Sequence, residues 1–340
     1  MNDKFTDNPN DSKENNSGFR IIVTGGSGFI GTNLVQHYVD QGHQVLNIDY
    51  AKPKRDDHFK YWANIDLREL ELLRKEVEIF DPQYVIHLAA RTDLRGKSLE
   101  DYSSNTIGTE NLIKSLDTCK SIERVLFTSS MLVCRLGYVP STPTDYSPST
   151  FYGESKMLME KFIRSSEVNY KWSIIRPTSI WGPWFGEPYR DFFNMVIKRT
   201  YFHIGSTVCK KTYGYVKNAI FQIDALIRAE INLIDRKVFY LGDYSPVIIS
   251  EWANEIAGKV NYQIRTVPYF IIKIAAIVGD VLNRIGINFP MTTFRLSNML
   301  TDNIIDLEST KNIAPDLPTS RINGVEETLM WISSEQSVDR

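Results

Sequence analysis

From residue 19 the chain alternates short runs of apolar and β-branched residues with longer stretches whose apolar positions recur every three or four places. The first pattern predicts strands and the second amphipathic helices. FRIIVTG (19–25), QVLNID (44–49), YVIHLAA (84–90), RVLFTSS (124–130) and KWSIIRP (171–177) read as strands. Between them FIGTNLVQHYVDQG (29–42), LRELELLRKEVEIF (67–80), SSNTIGTENLIKSLDTC (103–119) and the stretch 151–168 read as helices. Strands this uniformly apolar are covered on both faces, and strand–helix alternation builds a parallel sheet. The pattern therefore predicts an α/β fold with a doubly wound parallel sheet. After Pro177 the rhythm breaks: WGPWFGEP reads as a loop, and the chain beyond it mixes short strands and helices without a clear period. The expected division is a polar leader over 1–17, the wound sheet over 18–180 and a smaller α/β domain over 181–335.

At 340 residues the chain is long enough for one large domain with a smaller partner. Its net charge of −2 offers no basic field, so no nucleic-acid partner is expected. Three cysteines, Cys119, Cys134 and Cys209, are widely spaced. They predict neither a disulfide framework nor a metal site, and they suit a reducing cytoplasm. The start, MNDKFTDNPNDSKENNS, has no apolar segment and reads as a disordered leader rather than a signal peptide. YFIIKIAAIVGDVLNRIGINF (269–289) is apolar, but Lys273, Asp280 and Arg284 interrupt it, so no membrane span is expected. Its first reading is a helix buried in the C-terminal domain or against a partner. Its second is an amphipathic helix lying on a membrane surface.

VTGGSGFIG (23–31) joins the first strand to the first helix and spaces Gly25, Gly28 and Gly31 three apart. A helix N-terminus offers free N–H groups and a positive dipole end to a phosphate. A side chain at Gly25 or Gly28 would obstruct a pyrophosphate, and Gly31 lets the helix pack on the strand. Phe29 and Ile30 belong to the same cradle. This loop, in this strand–helix context, marks a Rossmann-type nucleotide-binding sheet. Asp49 closes the second strand. A carboxylate there accepts from both ribose hydroxyls and repels a 2′-phosphate, so NAD is the expected cofactor. Lys52, Lys54 and Arg55 follow closely and work against that preference. Asp66 and Leu67 come within reach of the adenine by order along the sheet; Asp66 reads equally as a helix N-cap.

YGESK (152–156) puts a tyrosine four places before a lysine, on one face of a helix. Alone, that spacing is common by chance. With TGGSGFIG, VIHLAA, FTSSMLVC, YGESK and IIRPTSIWGP in this order, the chain resembles the extended short-chain dehydrogenase/reductase family over about residues 19–335. Within it, the chain is similar to the NAD-dependent nucleotide-sugar epimerase/dehydratase branch. The resemblance implies that Tyr152 is the acid/base beside the nicotinamide. Lys156 would hold the nicotinamide ribose and favour the phenolate, and Ser130 would bond both substrate oxygen and phenol, with Ser129 as second choice. Ala89, Ala90 and Arg91 would line the cofactor with backbone, and Pro177 would border the nicotinamide. Asn105 matches an asparagine in the helix behind the active site, while His87 reads as a core histidine. Two positions depart from the family pattern: Cys134 stands where a tyrosine is usual, and Ser179 where an asparagine is.

A nucleotide-sugar carries a diphosphate, so the domain over 181–335 is expected to be mainly substrate-binding and to supply cations. CKKTYGYVKN (209–218) resembles the family's Arg-Asp-Tyr-x-x-Val-x-Asp stretch, with Lys211 at the arginine position and Asn218 at the final aspartate. Arg295 lies where a second phosphate-binding arginine is expected. The implied function is hydride transfer at a ring hydroxyl or ketone of a nucleotide-diphosphate sugar, as a 4-epimerase or 4-keto reductase. The dehydratases of the family place Asp and Glu after the catalytic hydroxyl; here Met131 and Leu132 stand there, so no dehydration is expected. Two alternatives stay open: a dehydrogenase for an apolar, steroid-like alcohol or ketone, and a non-enzymatic NAD-binding sensor. Helices 103–119 and 151–168 are expected to form a homodimer contact.

Overall fold

The computed structural model describes residues 18–287 and 289–338, so the expected leader over 1–17 lies outside the described residues. The chain begins with β1 (Arg20–Thr24), α1 (Phe29–Asp40), β2 (Gln44–Asp49), β3 (Trp62–Asn64), α2 (Leu70–Phe80), β4 (Tyr84–His87) and α3 (Ser103–Leu116). It continues through β5 (Arg124–Thr128), α4 (Phe151–Ser165), β6 (Lys171–Pro177), β7 (Ser179–Trp181), α5 (Tyr189–Ile197), β8 (Phe202–Ile204), β9 (Lys210–Lys211) and β10 (Tyr213–Tyr215). Then come α6 (Val216–Arg228), α7 (Ile231–Ile234), β11 (Val238–Leu241), β12 (Val247–Ile248), α8 (Ile249–Lys259) and β13 (Arg265–Val267). The last helices are α9 (Tyr269–Arg284), α10 (Thr293–Leu300), α11 (Glu308–Lys311) and α12 (Arg321–Val338).

Seven strands form one parallel sheet in the order β11–β6–β5–β4–β1–β2–β3. Strand side chains alternate between faces. Ile21 and Val23 of β1 therefore pack with Leu34 and Val35 of α1 and Ile223 of α6. Ile22 between them packs with Leu73 and Val77 of α2, Leu112 of α3 and Met159 of α4. This is the doubly wound α/β fold that the hydrophobic pattern predicts. The chain leaves the central β1 toward β2 on one side and later takes up β4 on the other. The resulting crevice at the carboxyl ends of the strands is the place where such sheets take ligands.

Two sheet strands do not follow from the local pattern. β3 has three residues, and β11 comes from beyond residue 180, pairing Val238–Leu241 with Ile174–Pro177. The helix read over 67–80 starts at Leu70, because Glu69 N–H donates to the Asp66 carbonyl at 2.8 Å and closes a turn ahead of it.

The chain after β6 adds three two-stranded ribbons, β10–β7, β12–β9 and β13–β8. The aromatics of WGPWFGEPYRDFF join them to the sheet: Trp181, Phe185 and Phe193 are buried with Tyr215 and Trp252 in the core that also holds Ile21 and Val23. Among the described residues no helix is long and apolar enough to cross a membrane. The 269–289 stretch forms α9, and that helix buries only Ile272, Ala276 and Gly279.

Candidate active site

The glycine loop leaves no slack. Gly25 has φ +73°, and a Cβ on it would meet Ala89 N at 2.6 Å. Left-handed backbone and close approach both demand glycine there. A Cβ on Gly31 would stand 2.1 Å from the Gly25 carbonyl oxygen, so α1 packs directly on the turn. Gly28 caps α1 without a side-chain bond, and no acidic residue sits in the first turn. The uncapped N–H groups of that turn open on a cavity of about 600 Å³ lined by Gly25, Gly28, Phe29, Ile30 and Gly31. An anion suits them.

Every residue expected at a cofactor or catalytic position lines this one cavity. Beyond the glycine loop these are Asp49, Asp66 and Leu67, Ala89 to Arg91, Ser130, Tyr152, Lys156 and Pro177. They follow the ends of β1, β2, β3, β4, β5 and β6 or open α4. Asp49 accepts from Ser27 N at 3.1 Å and Ala51 N at 2.9 Å, and burial raises its carboxyl above the usual range. Two of the three cations that follow it are turned elsewhere. Lys54 Nζ donates to the Trp184 carbonyl at 2.8 Å, and Arg55 holds Asp57 with two bonds. Asp49 thus lines the cavity without an ion-pair partner from Lys54 or Arg55, and the uncapped helix with its glycine turn fits a dinucleotide. Asp66 is held by its neighbour Arg68 through Nε, Nη2 and the backbone N–H. Arg91 lines the cavity while its side chain pairs with Asp93 and lies over the Tyr102 ring.

Tyr152 opens α4, where Thr150 caps the helix by accepting from Gly153 N at 3.0 Å. The phenol is 7% exposed. Burial pushes it up to about 12, and the Ser130 hydroxyl beside it pulls in the other direction. Lys156 is buried one turn on, and burial lowers its ammonium to about 7 against the opposing charge of Glu160. Its Nζ donates to the Thr128 carbonyl at 2.7 Å, at the end of β5. Ser130 Oγ accepts from Leu132 N at 3.1 Å and so also caps the short turn Met131–Val133. Ser129, the second choice, has a buried hydroxyl with no partner among the described residues.

Asn105 ties these parts together. Its Oδ1 accepts from Arg91 N at 2.8 Å, and its Nδ2 donates to the Arg91 carbonyl and to Ser155 Oγ. The chain after β4 and the Tyr152 helix are thereby held in register. His87 bridges Thr24 Oγ1 and Thr109 Oγ1, and burial lowers its ring to about 3. It is the neutral core histidine expected.

The two substrate-side cations part company. Lys211 lines a second cavity of about 410 Å³, with its Nζ donating to the Asn298 carbonyl at 2.8 Å. Arg295 lies on the exposed side of α10, where Nη1 donates to the Pro290 carbonyl. The second cavity also carries Tyr201, His203, Ser250 and Asn254, none of which a local motif singles out. Tyr213 lines it too, and its ring meets Tyr189 edge-on at 5.6 Å. Tyr189 lines the first cavity and donates to Ser179 Oγ at 2.6 Å, so one aromatic pair stands between the two spaces.

The chain is similar to a 3-beta-hydroxysteroid dehydrogenase of Mycolicibacterium neoaurum, 28% identical over 70% of this chain and 69% of the relative. It is also similar to a UDP-glucose 4-epimerase of Vibrio cholerae, 27% identical over 70% of this chain and 74% of the relative. The crystal structure of the UDP-glucose 4-epimerase of Thermotoga maritima shares its fold. The TM-score is 0.73 at 18% identity, covering 93% of this chain and 99% of that one. The model of the NAD dependent epimerase/dehydratase family matches residues 21–229, from the first strand of the sheet to the end of α6. With more than half of its length matched, the chain belongs to the NAD dependent epimerase/dehydratase family.

Proposed function

We propose that this NAD-dependent enzyme moves a hydride at a ring hydroxyl or ketone of a nucleotide-diphosphate sugar, as a 4-epimerase or a 4-keto reductase. The observation that carries this reading is the adjacency of the two cavities, divided by Tyr189 and Tyr213. The second offers Lys211, aromatic rings and small polar side chains, a mix suited to a nucleotide and its phosphates. The first offers Tyr152 and Ser130, with Tyr189 in the same wall and near enough to Tyr152 to act on its phenol. NAD, when bound, supplies the hydride acceptor and a positive nicotinamide ring. In this reading the Tyr152 phenol exchanges the proton of the reacting oxygen and Ser130 orients that oxygen by a hydrogen bond. A phenol held at about 12 by burial needs positive charge nearby to ionise at neutral pH. Lys156, anchored on the Thr128 carbonyl, supplies part of it and grips the ribose.

Met131 and Leu132 line the first cavity beside Ser130. Neither side chain exchanges protons, so the bound ketone has no local acid and base for elimination, and reduction is its way out. Incubation in heavy water, of UDP-hexoses with NAD and of a 4-keto UDP-sugar with NADH, tests the reading. It expects a C4 epimer, or consumption of NADH with a 4-keto sugar. Loss of water with deuterium at C5 would overturn it.

A second reading has its own support: similarity to a 3-beta-hydroxysteroid dehydrogenase, and an exposed Arg295 that does not line the cavity holding Lys211. NAD reduction by a 3β-hydroxysteroid, with no binding of UDP, would favour it. The reading also includes a homodimer through α3 and α4, where Ile107 and Leu158 are exposed, and light scattering checks it. A cytoplasmic location agrees with three free cysteines.

A further inference from the structure

Helix α9 turns its apolar side away from the protein. Its buried residues, Ile272, Ala276 and Gly279, pack over a small core with Ile204 and Leu296. At about 100° per residue these three share one side, and Phe270, Ile274, Ile277, Val281 and Ile285 share the opposite one. That outer stripe is open: Phe270 is 63% exposed, Ile274 58% and Ile285 67%, and Phe294 at the start of α10 adds 76%. So much exposed aliphatic and aromatic surface in one place marks a contact surface.

Charge says what it contacts. Lys273 and Arg284 stand along one margin of the stripe, and Arg295 is exposed on α10. Among the described residues, none of the three is in an ion pair. Asp280, the one carboxylate of α9, faces α10, where it accepts from Thr293 N at 3.1 Å and Thr293 Oγ1 at 2.5 Å, and it is outnumbered by the three cations. The outer face is therefore apolar with a net positive margin. A helix of 16 residues is about 24 Å long, short of the ~30 Å hydrocarbon core, so it cannot span a bilayer.

We propose that α9 and the start of α10 dock the protein flat on an anionic lipid surface. The apolar stripe enters the acyl boundary, and Lys273 and Arg284 reach the phosphate headgroups. A uniform negative surface answers every cation at once, whereas a second copy of the chain would bring the same positive margin against itself. The second cavity lies close to the start of α9. Gly205 and Thr266 line that cavity, and Gly205 N donates to the Val267 carbonyl at 2.8 Å just before α9 begins. The inference does not depend on the substrate assigned above.

Flotation with phosphatidylglycerol and with phosphatidylcholine vesicles tests it on the full chain. The protein is expected to float with the anionic vesicles and to be released by salt. The double change Lys273→Glu/Arg284→Glu should weaken binding on the order of tenfold or more. Ile274→Glu/Ile277→Glu should remove it, with NAD binding and circular dichroism unchanged in both variants. Failure to float at low salt would overturn the proposal, and so would flotation indifferent to charge reversal. Dimers that Ile274→Glu splits, without vesicle binding, would make the face a contact between copies and overturn it too.

Discussion

The first cavity is walled by residues that follow strand ends in chain order, on one continuous parallel sheet. The second is walled by residues from Phe192 to Leu300, brought together by α5, α8, α10 and ribbons two strands wide. The difference is one of tolerance. In the first, backbone meets backbone at the glycine loop, and a single Cβ has no place to go. In the second, side chains of varied type form the wall, and substitutions there alter a surface rather than a scaffold. A nucleotide cofactor common to many enzymes suits the first kind of site, and a substrate that differs between enzymes suits the second.

That contrast breaks most sharply at the chemistry. Tyr152→Phe should lower turnover by roughly 10³-fold, as loss of a general acid/base does, with NAD affinity within about twofold. Steady-state rates and a fluorescence titration check it, and substantial turnover would end the acid/base assignment. Next comes Gly31→Val. With Gly25 O only 2.1 Å from the added Cβ, the turn must shift. A loss of about 3 kcal/mol and failure to bind NAD are expected, read by denaturant unfolding and calorimetry.

Lys156 separates fold from function by pH. Its folded value of about 7 lies below its ordinary one. The unfolded chain therefore binds more protons between that value and ~10.4, and stability rises with pH across this window. Lys156→Met should stabilise by roughly 2–4 kcal/mol at pH 6 and by little near pH 10, while turnover is lost. Equal effects at both values would contradict the buried ammonium.

In the second region the effects shrink. Lys211→Ala should raise KM for a nucleotide-sugar about tenfold, as expected for one charged hydrogen bond, with NAD affinity unchanged. Steady-state kinetics at fixed NAD read it; an unchanged KM would take Lys211 out of the site. Gly258→Ala sharpens the contrast with Gly31. Gly258 lies in α8 with nothing within 4 Å of an added Cβ, so about 0.5–1 kcal/mol of stabilisation is expected. Thermal unfolding measures it.

What could be read without the structure was whatever depends on neighbours in sequence. The strands around β1, β2, β4, β5 and β6 show as apolar runs because both sheet faces are covered, and their alternation with helices implies their parallel order. Gly25, Gly28, Gly31, Asp49, Tyr152 and Lys156 are legible for the same reason: turn geometry, a strand end and one helix turn are all local. β3 and β11 are too short to carry a period, and β11 earns its place only by pairing with β6. Lys211 and Arg295 looked alike as cations, but Lys211 faces the second cavity and Arg295 solvent, because α10 packs by Leu296 and turns its neighbour out. The outward apolar side of α9 was likewise undecided. An apolar run shows that a helix has something to bury, and only the packing of Ile272, Ala276 and Gly279 reveals which side the protein itself covers. Local chemistry determined the fold class and the dinucleotide cradle. Contacts between residues far apart in the chain decided the second cavity and the outer helix face, since no short-range pattern encodes which side chains distant segments will bring together.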